Sequence, residues 1–173
     1  MFGPLRLIRA ILPWMRSNRH GTVANICGIG AMNGAPNAGI YCSTKAALVS
    51  ITESLQRETA SLGISVCLVQ LGHFRTSFLQ PGHRIKVASP IPDYSPILAP
   101  VQSAFNGLNG NQQGDPAKAA KVIVDALTNN KGSFPSLLPV GPDVPKAELQ
   151  THTARLEKML ECNVYTGTTD ISS

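Results

Sequence analysis

Two apolar runs separated by one long helix-forming stretch limit what this chain can fold into more than any other feature. Thr22-Val23-Ala24-Asn25-Ile26-Cys27 and Ile64-Ser65-Val66-Cys67-Leu68-Val69 do not alternate apolar with polar residues. A strand with one wet face alternates; a short run that does not is covered on both faces, as in a parallel sheet flanked by helices. Between the runs, Tyr41 to about Leu62 predicts a helix. Ala46, Leu48, Val49, Thr52, Leu55 and Ala60 form a broad apolar stripe, and Gly63 suits a left-handed stop. Strand, helix, strand is a βαβ unit with a right-handed crossover and parallel strands. Ligands of such sheets bind beyond the carboxyl ends of the strands. Cys27, Gly28, Leu71 and Gly72 fall at those ends, and Tyr41 opens the helix close by.

Within that helix, Tyr41 and Lys45 are four residues apart and share one face. A free phenol loses its proton near pH ~10, too high for exchange at neutrality. A nearby ammonium favours the phenolate and lowers that value, so the pair can serve as a tuned general acid and base. The spacing alone is also met by a packed ring beside a solvated charge. The position at the strand ends is what singles this pair out.

The rest of the chain divides around this unit. Residues 4–18 predict a helix whose Leu5, Leu7, Ile8, Ile11, Leu12, Trp14 and Met15 wrap most of its circumference, so burial on more than one side is expected, with a kink or early stop at Pro13. Gly28 to Gly39 is a glycine-rich loop with no Ser, Thr, Asp, Glu or His, and its glycines lack a phosphate-binding spacing. Residues 1–79 thus form a helix-strand-helix-strand core. Phe74 to Gly114, rich in Pro, Gly and Asn, is expected to be irregular, with residues 80–114 acting as a substrate lid. His73 and His83 lie near or in it, and the commoner state for such histidines is solvated. Asp115-Pro116 caps a helix running through Leu127; Ser136 to Val140 is an edge strand because of Pro139; 144–161 is an amphipathic helix with Leu149, Leu156, Met159 and Leu160 as its apolar residues. These make up a C-terminal part, 115–162, followed by a loose polar tail, 163–173.

Composition narrows the function. Hydrophobic residues are 43% and charged residues only 14%, so the chain buries much of itself or packs against another chain. The net charge of +5 resides before Glu53, with Arg6, Arg9, Arg16, Arg19 and Lys45 facing no acid there. No basic cluster is interleaved with aromatics, which argues against nucleic acid. Cys27, Cys42, Cys67 and Cys162 show neither a paired-cysteine nor a metal-ligand spacing, so buried reduced thiols and no metal are expected. No apolar run approaches the ~18 residues of a membrane span. Arg6 and Arg9 interrupt any secretory core, leaving the cytoplasm as the expected compartment.

With these elements in place, the chain resembles the short-chain dehydrogenase/reductase family, fungal type. FGPLRLIRAILPWMRSNRHGTVANI is similar to the family's buried helix and fifth strand, and YCSTKAAL to its active-site helix. VQLGHFRTSFL is similar to the segment after the sixth strand, and GDPAKAAKVIVDAL with LLPVGPD to the C-terminal part of fungal members. The resemblance implies an α/β fold: the C-terminal part of a Rossmann-like doubly wound parallel sheet, strands five to seven with flanking helices. It implies an oxidoreductase passing hydride between NADP(H), with NAD as the alternative, and a carbonyl or alcohol, in fungal secondary metabolism. Tyr41 would handle the proton, Lys45 would lower the pKa of Tyr41 and bind the nicotinamide ribose, and Phe74 and Thr76 would touch the nicotinamide end. Helices 4–18 and 41–62 would be association faces for a second copy or another chain.

The same resemblance marks departures. The family's catalytic serine falls at Gly28, and no hydroxyl occurs from Gly28 through Ile40. The proline after the sixth strand is Leu71. The glycine-rich phosphate loop and the first four strands have no counterpart, so the expectation is an N-terminally truncated member. The competing expectation for function is an impaired remnant or an interaction subunit without the cofactor-binding half.

Overall fold

The computed structural model describes residues 1–83, 91–128 and 134–162. The tail from Asn163 and residues 84–90 of the expected lid lie outside them. A three-stranded parallel sheet carries the fold, in the order β1 (Gly21–Gly28), β2 (Ile64–Leu71), β3 (Leu137–Val140). Around it stand α1 (Phe2–Asn18), α2 (Gly39–Thr59), α3 (Ser95–Leu108), α4 (Pro116–Thr128) and α5 (Asp143–Glu161).

β2 shows why the apolar runs do not alternate. Successive side chains leave a strand on opposite faces. Ile64, Val66 and Leu68 pack with α2, Val23 and Cys27 on one face. Cys67 and Val69, both fully buried, pack with Ala119 and Val140 on the other, against α4. A buried hydrogen bond ties α2 to β1: Asn25 Nδ2 donates to Thr52 Oγ1 at 2.9 Å, and that hydroxyl donates to Leu48 O at 2.6 Å. Gln56 Nε2 reaches Ser136 O at 2.7 Å, joining α2 to the entry of β3.

The turns before β1 and β2 interlock. Gly63 has φ +71°, where a side chain is strained, and a Cβ there would overlap the carbonyl oxygen of Arg19. Arg19 ends α1 with φ 53°. Asp115 caps α4 as expected, its Oδ1 accepting from Ala117 N at 2.8 Å. β3 is the edge strand at which Pro139 is tolerated.

Five expectations are corrected. α1 buries only Ile8, with Leu12 and Met15 partly covered, while Leu7 and Trp14 are exposed. It meets the sheet along one stripe. Pro13 does not break it, because Arg9 and Pro13 lie on the exposed side, where water can take the freed carbonyl. The stretch from Phe74 to Gly114 is not irregular throughout: α3 fills 14 residues of it. Pro96 is accommodated in its first turn, and Leu98, Val101, Phe105 and Leu108 share a half-buried stripe. α5 forms where predicted, with its faces reversed: Leu149, Leu156, Met159 and Leu160 are exposed, whereas Val144 and Thr151 are buried. Its polar side chains reach β2 and the connection between β1 and α2: Glu148 Oε1 accepts from the buried Gln70 Nε2, Thr151 Oγ1 accepts from Asn33 Nδ2 at 2.6 Å, and Arg155 donates to Met32 O. Finally, Cys162 is exposed at the end of α5, unlike the other three thiols.

Candidate active site

Tyr41 stands in the first turn of α2, at the carboxyl ends of the parallel strands. Gly30 makes room for its ring: a Cβ on Gly30 would touch Tyr41 Cε1 at 3.4 Å. On another side lies Phe78, with ring centroids 5.9 Å apart and planes tilted by 46°. Tyr41 stays 41% exposed, open to a ligand.

Lys45 lies one turn along, and its Nζ is 6.0 Å from the centre of the Tyr41 ring. That ammonium donates to the carbonyl oxygen of Ile26 at 3.1 Å. The expected lowering of the phenol pKa is absent in this state. Burial pushes the Tyr41 phenol up, and the Cys42 and Cys27 thiols push it the same way. The physical reason is placement: the cation is engaged with the backbone of β1. Cys27 Sγ lies 3.6 Å from Lys45 O, and burial raises its thiol despite the opposing Lys45 charge.

Gly28 occupies the end of β1 in an extended conformation, φ −149°. A Cβ there would meet only Leu71 O, at an ordinary 3.5 Å. The space for a side chain exists at this position, and the sequence leaves it empty.

The other predicted residues follow β2. The Thr76 hydroxyl accepts from Phe78 N at 3.3 Å, capping the short turn that carries Phe78. The Phe74 ring points elsewhere, packing beside Cys67, Val69, Ala119 and Val140. Its backbone bridges Gly114, where Arg75 N donates to Gly114 O at 2.8 Å. His73 is not simply solvated. Its Nδ1 lies 2.8 Å from Asp143 Oδ2, which also accepts from His73 N at 2.9 Å. Phe78 and Asp143 were missed by sequence reasoning. Asp143 begins a helix and carries that local signal; Phe78 carries none.

Tyr41 and Lys45 supply a phenol and an ammonium at the carboxyl end of β1, and Phe78, in the turn that Thr76 caps, lies beside the Tyr41 ring. These donors fit the nicotinamide and ribose end of a dinucleotide. The connection from β1 to α2 holds no glycine pattern suited to its phosphates. Among the described residues no group of three or more His, Cys, Asp or Glu is placed to hold a metal. No helix among them is long and apolar enough to cross a membrane. A separate cleft of about 210 Å³ lies beside Cys42, Ser43 and Arg155, and Tyr41 does not line it.

Residues 1–84 match the family model described as short chain dehydrogenase. The solved short-chain dehydrogenase from Streptomyces avermitilis is 32% identical, with a TM-score of 0.81 over 99% of this chain and 60% of its own. Oxidoreductase claN of Passalora fulva is 40% identical over 87 residues, which are 50% of this chain and 40% of that protein. A short-chain dehydrogenase/reductase from Burkholderia phymatum, solved in complex with NAD, shares the fold at 17% identity, with a TM-score of 0.68 over 96% of this chain and 57% of its own. Over residues 1–84 in sequence, and over nearly all of the chain in fold, the chain is similar to the short-chain dehydrogenase/reductase family. It spans about half the length of these relatives.

Proposed function

We propose that this chain carries the acid/base part of an oxidoreductase site that acts on a small carbonyl or alcohol with a nicotinamide dinucleotide. The observation that carries this reading is the position of Tyr41 and Lys45, one turn apart on α2 at the carboxyl ends of β1 and β2. Tyr41 gives its proton to the substrate oxygen during reduction and takes it back during oxidation. A phenol held neutral by burial begins in the donating state. Lys45 turns from the Ile26 carbonyl toward ribose, and its approach then favours the phenolate that follows transfer. Thr76 and the backbone around Phe74 hold the nicotinamide amide. The dinucleotide, when bound, supplies or accepts the hydride. NADP is preferred, with NAD as the alternative, in fungal secondary metabolism and in the cytoplasm, a setting that suits the buried free thiols Cys27, Cys42 and Cys67. The exposed Phe2, Leu7 and Trp14 of α1 support association with a second copy or another chain.

A second reading, an impaired or purely interacting chain, is favoured by one observation: Gly28 leaves the end of β1 without a hydroxyl beside Tyr41. Such a donor to the reacting oxygen typically contributes about 10²–10³ in rate. Titration of the purified chain with NADPH and with NADH, followed by nicotinamide fluorescence, separates the two. Saturable binding below millimolar concentration supports the first; no binding of either cofactor at millimolar concentration rules out a self-sufficient site.

A further inference from the structure

The carboxyl ends of β2 and β3 are joined by one carboxylate. Gly72 N donates to Val140 O at 2.9 Å, adding a rung beyond β2, and Gly141 then turns the chain into α5 with φ +109°. Asp143 sits in the resulting notch. A Cβ on Gly72 would overlap Asp143 Oδ1, and one on Gly141 would stand 2.7 Å from the same atom. The backbone of Gly72 is not in the left-handed region, so its glycine answers to the space the carboxylate takes. The second oxygen, Oδ2, accepts from His73 N at 2.9 Å and faces His73 Nδ1 at 2.8 Å. The neighbouring Val144 is 1% exposed and anchors the helix start. One carboxylate oxygen is thus held by His73, while the other fills the space beside Gly72 and Gly141. From His73 the chain leads directly to Thr76 and to Phe78, whose ring lies tilted beside Tyr41.

We infer that Asp143 is a positioning residue. By filling the notch at Gly72 and holding His73 through two contacts, it sets the direction in which residues 74–78 cross the Tyr41 opening. The start of α5 thereby governs whether Thr76 and Phe78 face the site. The effect on the turn stands on geometry alone; the effect on dinucleotide binding rests on the function proposed above.

The test is backbone amide exchange on the full chain and on its Asp143→Ala and Asp143→Asn variants, with NADPH titration of each. For Asp143→Ala we expect amides 73–79 to exchange at least tenfold faster, with amides 64–70 of β2 unchanged. Asp143→Asn keeps an oxygen for His73 N and should recover much of that protection; being isosteric, it also serves if the alanine variant does not fold. Dinucleotide affinity should fall at least tenfold in Asp143→Ala and recover in Asp143→Asn. Unchanged exchange at 73–79 in both variants overturns the inference. So does faster exchange spread equally through residues 144–151, which would make Asp143 an anchor for α5 only. If the unsubstituted chain binds no dinucleotide, the proposed function fails, and the exchange data still decide the role of Asp143.

Discussion

Lys45 Nζ stands 6.0 Å from the centre of the Tyr41 ring and gives its hydrogen bond to the carbonyl oxygen of Ile26. The two residues share a helix face, yet the cation serves the end of β1 and the phenol is left to its partly buried surroundings. The pair is assembled but not yet coupled.

The Tyr41 phenol should therefore titrate above 10 in the ligand-free chain, because burial disfavours its anion. A pKa raised in the folded state contributes stability that is present below the unfolded value and lost as pH rises through the folded one. The tyrosinate absorbance difference between the chain and its Tyr41→Phe variant measures this directly. Lys45→Met should move the value little before ligand is added; a drop below 10 in the unsubstituted chain would show that the ammonium already acts on the phenol.

Gly28→Ser should fold normally. The position is extended and a Cβ there makes only an ordinary contact with Leu71 O. The urea midpoint should correspond to a change within about 0.5 kcal/mol. In a form of the protein that turns over substrate, the new hydroxyl should raise kcat by about tenfold or more. An unchanged kcat means that another group already polarises the substrate oxygen.

Asp143 predicts a specific acid sensitivity. Burial alone would raise its carboxyl pKa, but the backbone and side-chain hydrogen bonds from His73 outweigh it and hold the value below the ordinary carboxylate range. A pKa lowered by folding contributes stability that is present above the unfolded value, about 3.9, and lost as pH falls through the folded one. Urea midpoints should thus decline below about pH 4, and Asp143→Asn should flatten that decline. A variant that follows the parent curve at every pH excludes the contribution.

The Asn25–Thr52 bond should be costly to break from one side. Thr52 is fully buried and Asn25 is 7% exposed, so Thr52→Val strands an amide donor without leaving a cavity. The expected loss is about 1–3 kcal/mol by urea unfolding. Replacing Asn25 by Leu in the same chain should recover part of it, since both polar partners are then gone.

The βαβ unit, the parallel order of its strands and the presence of Tyr41 and Lys45 on one helix face at their carboxyl ends are legible in the residues alone. Those features are written in local periodicity: the runs at 22–27 and 64–69, the apolar stripe of α2, and Gly63 at its stop. Where the Lys45 ammonium points, the contact of Phe78 with Tyr41, and the meeting of Asp143 with His73 across 70 residues of sequence come from the folded packing. It also decided which face of α5 turns inward, against the apolar pattern of Leu149, Leu156, Met159 and Leu160. Periodicity states which side chains share a face. Whether that face meets the core, water or a polar partner depends on what the fold brings opposite it, and the Gln70–Glu148 and Asn33–Thr151 bonds, between residues far apart in the chain, are what turned α5 around.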